Sequence, residues 1–100
     1  MSKLFNRHLV VQESDFYGNC PVQAEITSDG LYFYFRSRGR YASLDIYDFE
    51  GIPDDLPGDD LLLYSGGLNS WQWTGAGSIS RNEALYAFYL LWSDAKGAIA

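Results

Sequence analysis

An Asp-Gly pair set between two alternating runs constrains this chain more than any other feature. Val22, Ala24 and Ile26 alternate with Gln23, Glu25 and Thr27; Ser28 and Asp29-Gly30 follow, and a second alternating run occupies Leu31 to Arg36. A tight two-residue hairpin turn needs positive φ at both central positions, which Asp-Gly adopts at low cost, so these runs form a β-hairpin. Closing it at Asp29-Gly30 sets Ile26 opposite Phe33 and Ala24 opposite Phe35 on one face. The other face pairs Thr27 with Tyr32, Glu25 with Tyr34 and Gln23 with Arg36. A slip of one residue would send the apolar set to the solvent side, so the register is well specified.

Ser37-Arg38-Gly39-Arg40 supplies the next turn. With Arg38-Gly39 as its loop, Phe35 opposes Ala42, Phe33 opposes Leu44 and Leu31 opposes Ile46. The second face then pairs Arg36 with Tyr41, Tyr34 with Ser43 and Tyr32 with Asp45. Both hairpins choose the same core face, which predicts a three-stranded antiparallel meander over residues 22–48 with one wet face. Residues 48–60 read as an acidic loop punctuated by Gly51, Pro53, Pro57 and Gly58. Leu61 to Tyr64 and Ser70 to Thr74 suggest a further hairpin around Gly66-Gly67, and Leu4 to Gln12 an edge strand.

Ser80-Arg81-Asn82-Glu83 has the form of a capping box before an apolar run. It predicts a helix over about 81–95, with Gly97 near its C-terminal cap. Ala84, Leu85, Phe88, Leu91, Trp92 and Ala95 form one stripe, widened by Tyr86, Tyr89 and Leu90, suited to packing on the apolar sheet face. The fold class is therefore α+β: an antiparallel sheet of about four to six strands packed by a C-terminal helix. One hundred residues suit a single domain, 1–100.

Composition narrows the function. The 17% aromatic content supplies core area and argues against disorder. Cys20 is the only cysteine, which fits a reducing compartment rather than a disulfide-framed secreted fold. Met1 to Gln12 has no apolar run of the signal-peptide kind. The longest apolar run, Ala84 to Trp92, is far short of the ~20 residues that span a bilayer. A cytoplasmic protein with no membrane contact is expected. Net charge is −6, and between Tyr41 and Ser80 there is no Lys or Arg while Asp45, Asp48, Glu50, Asp54, Asp55, Asp59 and Asp60 gather there. Such a surface repels nucleic acid and anionic lipid and attracts basic proteins, so no direct nucleic-acid binding is expected.

Chemistry is sparse. A Cys20–His8 pair is the only nucleophile–base combination that cysteine and histidine offer, and nothing in the sequence orients it. Two Cys or His residues cannot make a structural zinc site. The acids of 48–60 lack EF-hand spacing and read as a solvated loop rather than a calcium site. Gly75-Ala76-Gly77 resembles the start of a phosphate loop, but Ser80 stands where the third glycine belongs and no βαβ unit can follow, so it reads as a tight turn. Arg36, Arg38 and Arg40 form a basic knob, best read as a solvated turn. No catalytic residue, metal or cofactor is expected.

The wet face of the meander is more informative. Tyr32, Tyr34, Tyr41 and Tyr47 stand there with Gln23, Glu25, Arg36 and Asp45, where a solvated strand face ordinarily carries Thr, Lys, Glu and Ser. Tyr and Arg are enriched at interfaces, and Tyr costs little rotamer entropy to fix. The competing reading is that another segment, the Trp71–Trp73 strand or the N-terminus, covers this face. The candidate partner-binding set is Tyr32, Tyr34, Arg36, Tyr41, Asp45, Tyr47, Asp54, Asp55, Asp59 and Asp60.

In size, acidity, aromatic-rich sheet and lack of catalytic chemistry the chain resembles the anti-CRISPR proteins, small acidic inhibitors encoded by phages. The resemblance implies a non-enzymatic, stoichiometric inhibitor that docks on a basic protein or nucleoprotein complex. An immunity protein that neutralises a toxin would use the same physics. A small-ligand domain with Trp71, Trp73 and Trp92 lining a pocket is the alternative from a different class. Self-association is compatible with each.

Overall fold

The alternation in residues 22–47 becomes three adjacent strands, β1 (Val22–Ser28), β2 (Leu31–Arg38) and β3 (Tyr41–Tyr47), joined by β4 (Leu62–Asn69) in an antiparallel sheet of order β1-β2-β3-β4. The structure is a computed structural model and describes residues 9–18, 22–38, 41–69 and 80–99. With the helix α1 (Arg81–Ile99) on one face of the sheet, the fold is α+β.

The first hairpin has the expected register, Ile26 with Phe33, Glu25 with Tyr34 and Gln23 with Arg36. Asp29 and Gly30 take φ of 47° and 83°, the positive values that a turn of this kind demands. The second hairpin is displaced by two residues from expectation. Phe35 pairs with Leu44, Phe33 with Ile46 and Tyr32 with Tyr47, and Arg38 meets Tyr41 so that Gly39-Arg40 lies between them. A slip of two preserves the facing of every side chain, so the core set is unchanged. What the observed register adds is the Tyr32–Tyr47 ring pair, 5.9 Å between centroids.

Gly66-Gly67 is not a turn. Both glycines lie within β4, opposite Leu44 and Ser43. Each is roofed by a tyrosine: a Cβ on Gly66 would meet the Tyr64 hydroxyl at 2.0 Å, and one on Gly67 the Tyr41 hydroxyl at 2.1 Å. These strand glycines make room for the hydroxyl ends of the two rings. The Ser70–Thr74 strand, Trp71, Trp73 and Gly75-Ala76-Gly77 lie outside the described residues, as do His8 and Cys20.

The core joins the sheet to α1. Ala24, Phe33, Phe35, Ala42, Leu44 and Ile46 meet Ala84, Ala87, Phe88, Leu91, Trp92 and Ala95, all buried. Phe88 lies 6.0–6.2 Å from Phe33 and Phe35, and Trp92 stands edge-on to Phe33 at 5.2 Å. Each such side chain contributes roughly 1.5–3 kcal/mol by leaving water. The capping box forms as expected: Ser80 N–H donates to Glu83 Oε1 at 2.9 Å, and Glu83 N–H donates to Ser80 Oγ at 3.1 Å. The helix runs four residues beyond expectation and carries Gly97 inside it.

Residues 9–12 do not join the sheet as an edge strand, and 4–8 lie outside the described residues. Instead Val11 is pinned to the helix: its N–H donates to the Tyr89 hydroxyl at 2.8 Å, and that hydroxyl donates back to the Val11 carbonyl at 3.3 Å. A 3-10 turn, Glu13–Asp15, then drops Phe16 into the core, edge-on to Phe35 at 5.4 Å. Tyr17 follows, exchanging both backbone hydrogen bonds with Gln23 at the free edge of β1.

Candidate functional site

The second sheet face carries the tyrosines, and their exposure changes steadily along β2. Tyr32 is 1% exposed, Tyr34 half-buried and Arg36 exposed. At the buried end the Tyr32 ring packs on Tyr47, and the acidic segment after β3 stands nearby. Its ends are tied by Asp48 N–H donating to the Leu61 carbonyl at 2.8 Å. This makes residues 48–61 a closed surface loop. Residues Pro53, Asp54, Asp55 and Leu56 stand across from Tyr17, Gln23, Glu25, Tyr32 and Tyr34, leaving an open cleft of about 250 Å³ between loop and sheet.

The expected exposure of two of these tyrosines is corrected. Tyr32 and Tyr47, at 1% and 5% exposure, are buried in the chain rather than set on a wet face. Residues 53–56 of the acidic loop line a cleft together with Tyr32, a placement that irregular sequence does not announce. Tyr34 and Tyr41 keep accessible surface, and Asp45 is half-buried and accepts a hydrogen bond from Ser65 Oγ at 2.6 Å. Asp54 and Asp55 line the cleft, while Asp59 and Asp60 open a 3-10 turn outside it; all four are exposed.

Glu25 sits at the floor of the cleft. Its Oε1 accepts from the Tyr17 hydroxyl at 3.1 Å and its Oε2 from the Tyr32 hydroxyl at 2.8 Å, while the Tyr34 hydroxyl donates to Gln23 Oε1 at 3.2 Å. Burial, then the hydrogen bond to Glu25 and its charge, push the Tyr32 hydroxyl well above the usual tyrosine range, and Tyr17 is raised by the same causes in the same order. Tyr47 is raised by burial first and then by the charges of Asp45 and Asp59. The negative field of this face is thus felt by the ring hydroxyls beneath it.

Sequence reading placed Glu25 and Gln23 on the correct face without assigning them a role, and passed over Tyr17 and Leu56. The available signal for Glu25 was its position as the one acid of its strand, beside two tyrosines. Tyr17 offered none, since a single bridge has no periodicity. Trp92 is buried in the core against Phe33, while Trp71 and Trp73 lie outside the described residues. Among the described residues no three His, Cys, Asp or Glu side chains converge to hold a metal ion, and no helix is long and apolar enough to cross a membrane.

No family model, no curated protein and no solved structure matches the chain.

Proposed function

We propose that this chain is a non-enzymatic, stoichiometric inhibitor acting in the cytoplasm, in the manner of the anti-CRISPR proteins. It docks its acidic loop and the exposed end of the tyrosine face onto a basic protein surface. The observation that carries this reading is the loop: Asp48, Glu50, Asp54, Asp55, Asp59 and Asp60 are all exposed on a single closed segment. Such a field attracts a basic partner, speeds encounter and repels nucleic acid, so a nucleic-acid-binding surface is the natural target. Tyr34, Arg36 and Tyr41 lie on the same sheet face and supply the contact groups in which interfaces are rich.

The test is capture from a host lysate with the wild-type chain and with an Asp59→Asn/Asp60→Asn variant, followed by mass spectrometry. Support is a basic protein bound in a fixed ratio by the wild type and recovered in clearly smaller amount with the variant. Capture that is indifferent to these charges would overturn the electrostatic reading.

A further inference from the structure

Building on the acidic docking surface, we infer that the cleft between the loop and β1–β2 receives the guanidinium group of one arginine side chain from the partner protein. The lining carries Glu25, Asp54 and Asp55 and, among the described residues, no cationic side chain. Its accessible lining is mostly polar, with the phenol rings of Tyr17, Tyr32 and Tyr34 and the side chains of Pro53 and Leu56 set among the polar groups. A carboxylate floor with phenol walls suits a flat cation that stacks on rings while its edge meets an acid.

The floor is already set for such an edge. Tyr17 holds one oxygen of Glu25 and Tyr32 the other, which fixes the plane of the carboxylate. A carboxylate offers about four acceptor positions, so each oxygen retains capacity after accepting one phenol. Two parallel acceptors in a fixed plane match the paired N–H groups of guanidinium, whereas an ammonium is a point charge that gains nothing from the fork. Asp54 and Asp55, exposed at the rim, draw the cation in. The cleft does not depend on Asp59 or Asp60, so its role separates experimentally from the general attraction of the loop.

The experiment is a nuclear magnetic resonance titration of the full chain with N-acetyl-arginine amide, using the lysine and citrulline counterparts as probes of charge and of shape. The arginine compound is expected to shift the resonances of residues 17, 25, 32, 34 and 54–56 saturably. Citrulline, with the same shape and no charge, should leave them in place, and lysine should bind more weakly. Glu25→Gln should weaken arginine binding about tenfold, as expected for loss of a charge-assisted pair. Should that variant lose its fold, Asp54→Asn/Asp55→Asn, at exposed positions, should weaken binding in its place. Unsaturable or scattered shifts, equal binding of lysine or citrulline, or indifference to these variants overturns the proposal. If arginine fails to bind while Asp59→Asn/Asp60→Asn still reduces capture of the partner, the cleft assignment falls and the acidic docking surface stands.

Discussion

The Tyr32 hydroxyl donates to Oε2 of Glu25 at 2.8 Å although the two residues are not cross-strand partners; Glu25 opposes Tyr34, and Tyr32 opposes Thr27. This diagonal contact joins a buried ring to the carboxylate at the floor of the acidic cleft. The tyrosine face is therefore core at one end and surface at the other, and single substitutions along it have different consequences.

Tyr32→Ala and Tyr47→Ala remove buried rings that pack on each other and should destabilise the fold by about 3–5 kcal/mol, as Phe33→Ala should. Tyr34→Ala and Tyr41→Ala should cost far less. Urea unfolding of all five variants separates the classes. A Tyr32 variant as stable as the Tyr41 variant would contradict the burial of this end of the face.

Gly66 and Gly67 should respond unequally to alanine. Tyr41 is 51% exposed and can swing away from a new Cβ on Gly67, so Gly67→Ala should be nearly neutral. Tyr64 is buried and donates to Asp94 Oδ2 at 2.7 Å, so Gly66→Ala must displace a fixed ring and strain that bond. A cost of about 1–3 kcal/mol is expected. Equal unfolding midpoints for the two variants would contradict the roofing of Gly66 by Tyr64.

High pH should weaken the fold. Unfolded tyrosine loses its proton near pH 10. Tyr32 and Tyr64 hold theirs higher, first because of burial and then because each donates to a carboxylate, Glu25 and Asp94 respectively. Above about pH 10 the unfolded chain binds fewer protons than the folded one, so stability present below that pH declines as pH rises toward the folded-state values. Chemical unfolding against pH should show this decline, and Tyr32→Phe/Tyr64→Phe should flatten it. An unchanged slope in the double variant would remove these hydroxyls from the account.

Ser80→Ala deletes the acceptor for the Glu83 N–H and should cost about 1 kcal/mol. Thermal unfolding of this variant should show the loss, and a wild-type midpoint would mean that the box contributes nothing to stability.

What could be read from the chain divides along physical lines. The β1–β2 register was legible because Asp29-Gly30 admits one tight turn and each pairing sorts by polarity. The β2–β3 register was legible only to within two residues, since parity alone does not choose between Arg38-Gly39 and Gly39-Arg40 as the loop. Gly66-Gly67 misled because paired glycines ordinarily mark a turn, and the two tyrosines that cover them come from different strands. The cleft between residues 53–56 and Tyr32 was not legible: acids and prolines between strands read as solvated chain, and only tertiary structure shows where the segment lies. The helix was legible in its cap and stripe, because both are local, but its end beyond Gly97 was not.

The central claim is that the acids of the 48–61 loop bring a basic partner to this surface, and the association rate with the captured partner tests it most directly. Raising salt from about 0.1 M to about 1 M shortens the screening length from about 10 Å to about 3 Å. The wild-type rate should fall steeply over that range, while Asp59→Asn/Asp60→Asn should start slower and fall less. A rate that is flat in salt and equal in the two proteins would contradict the account.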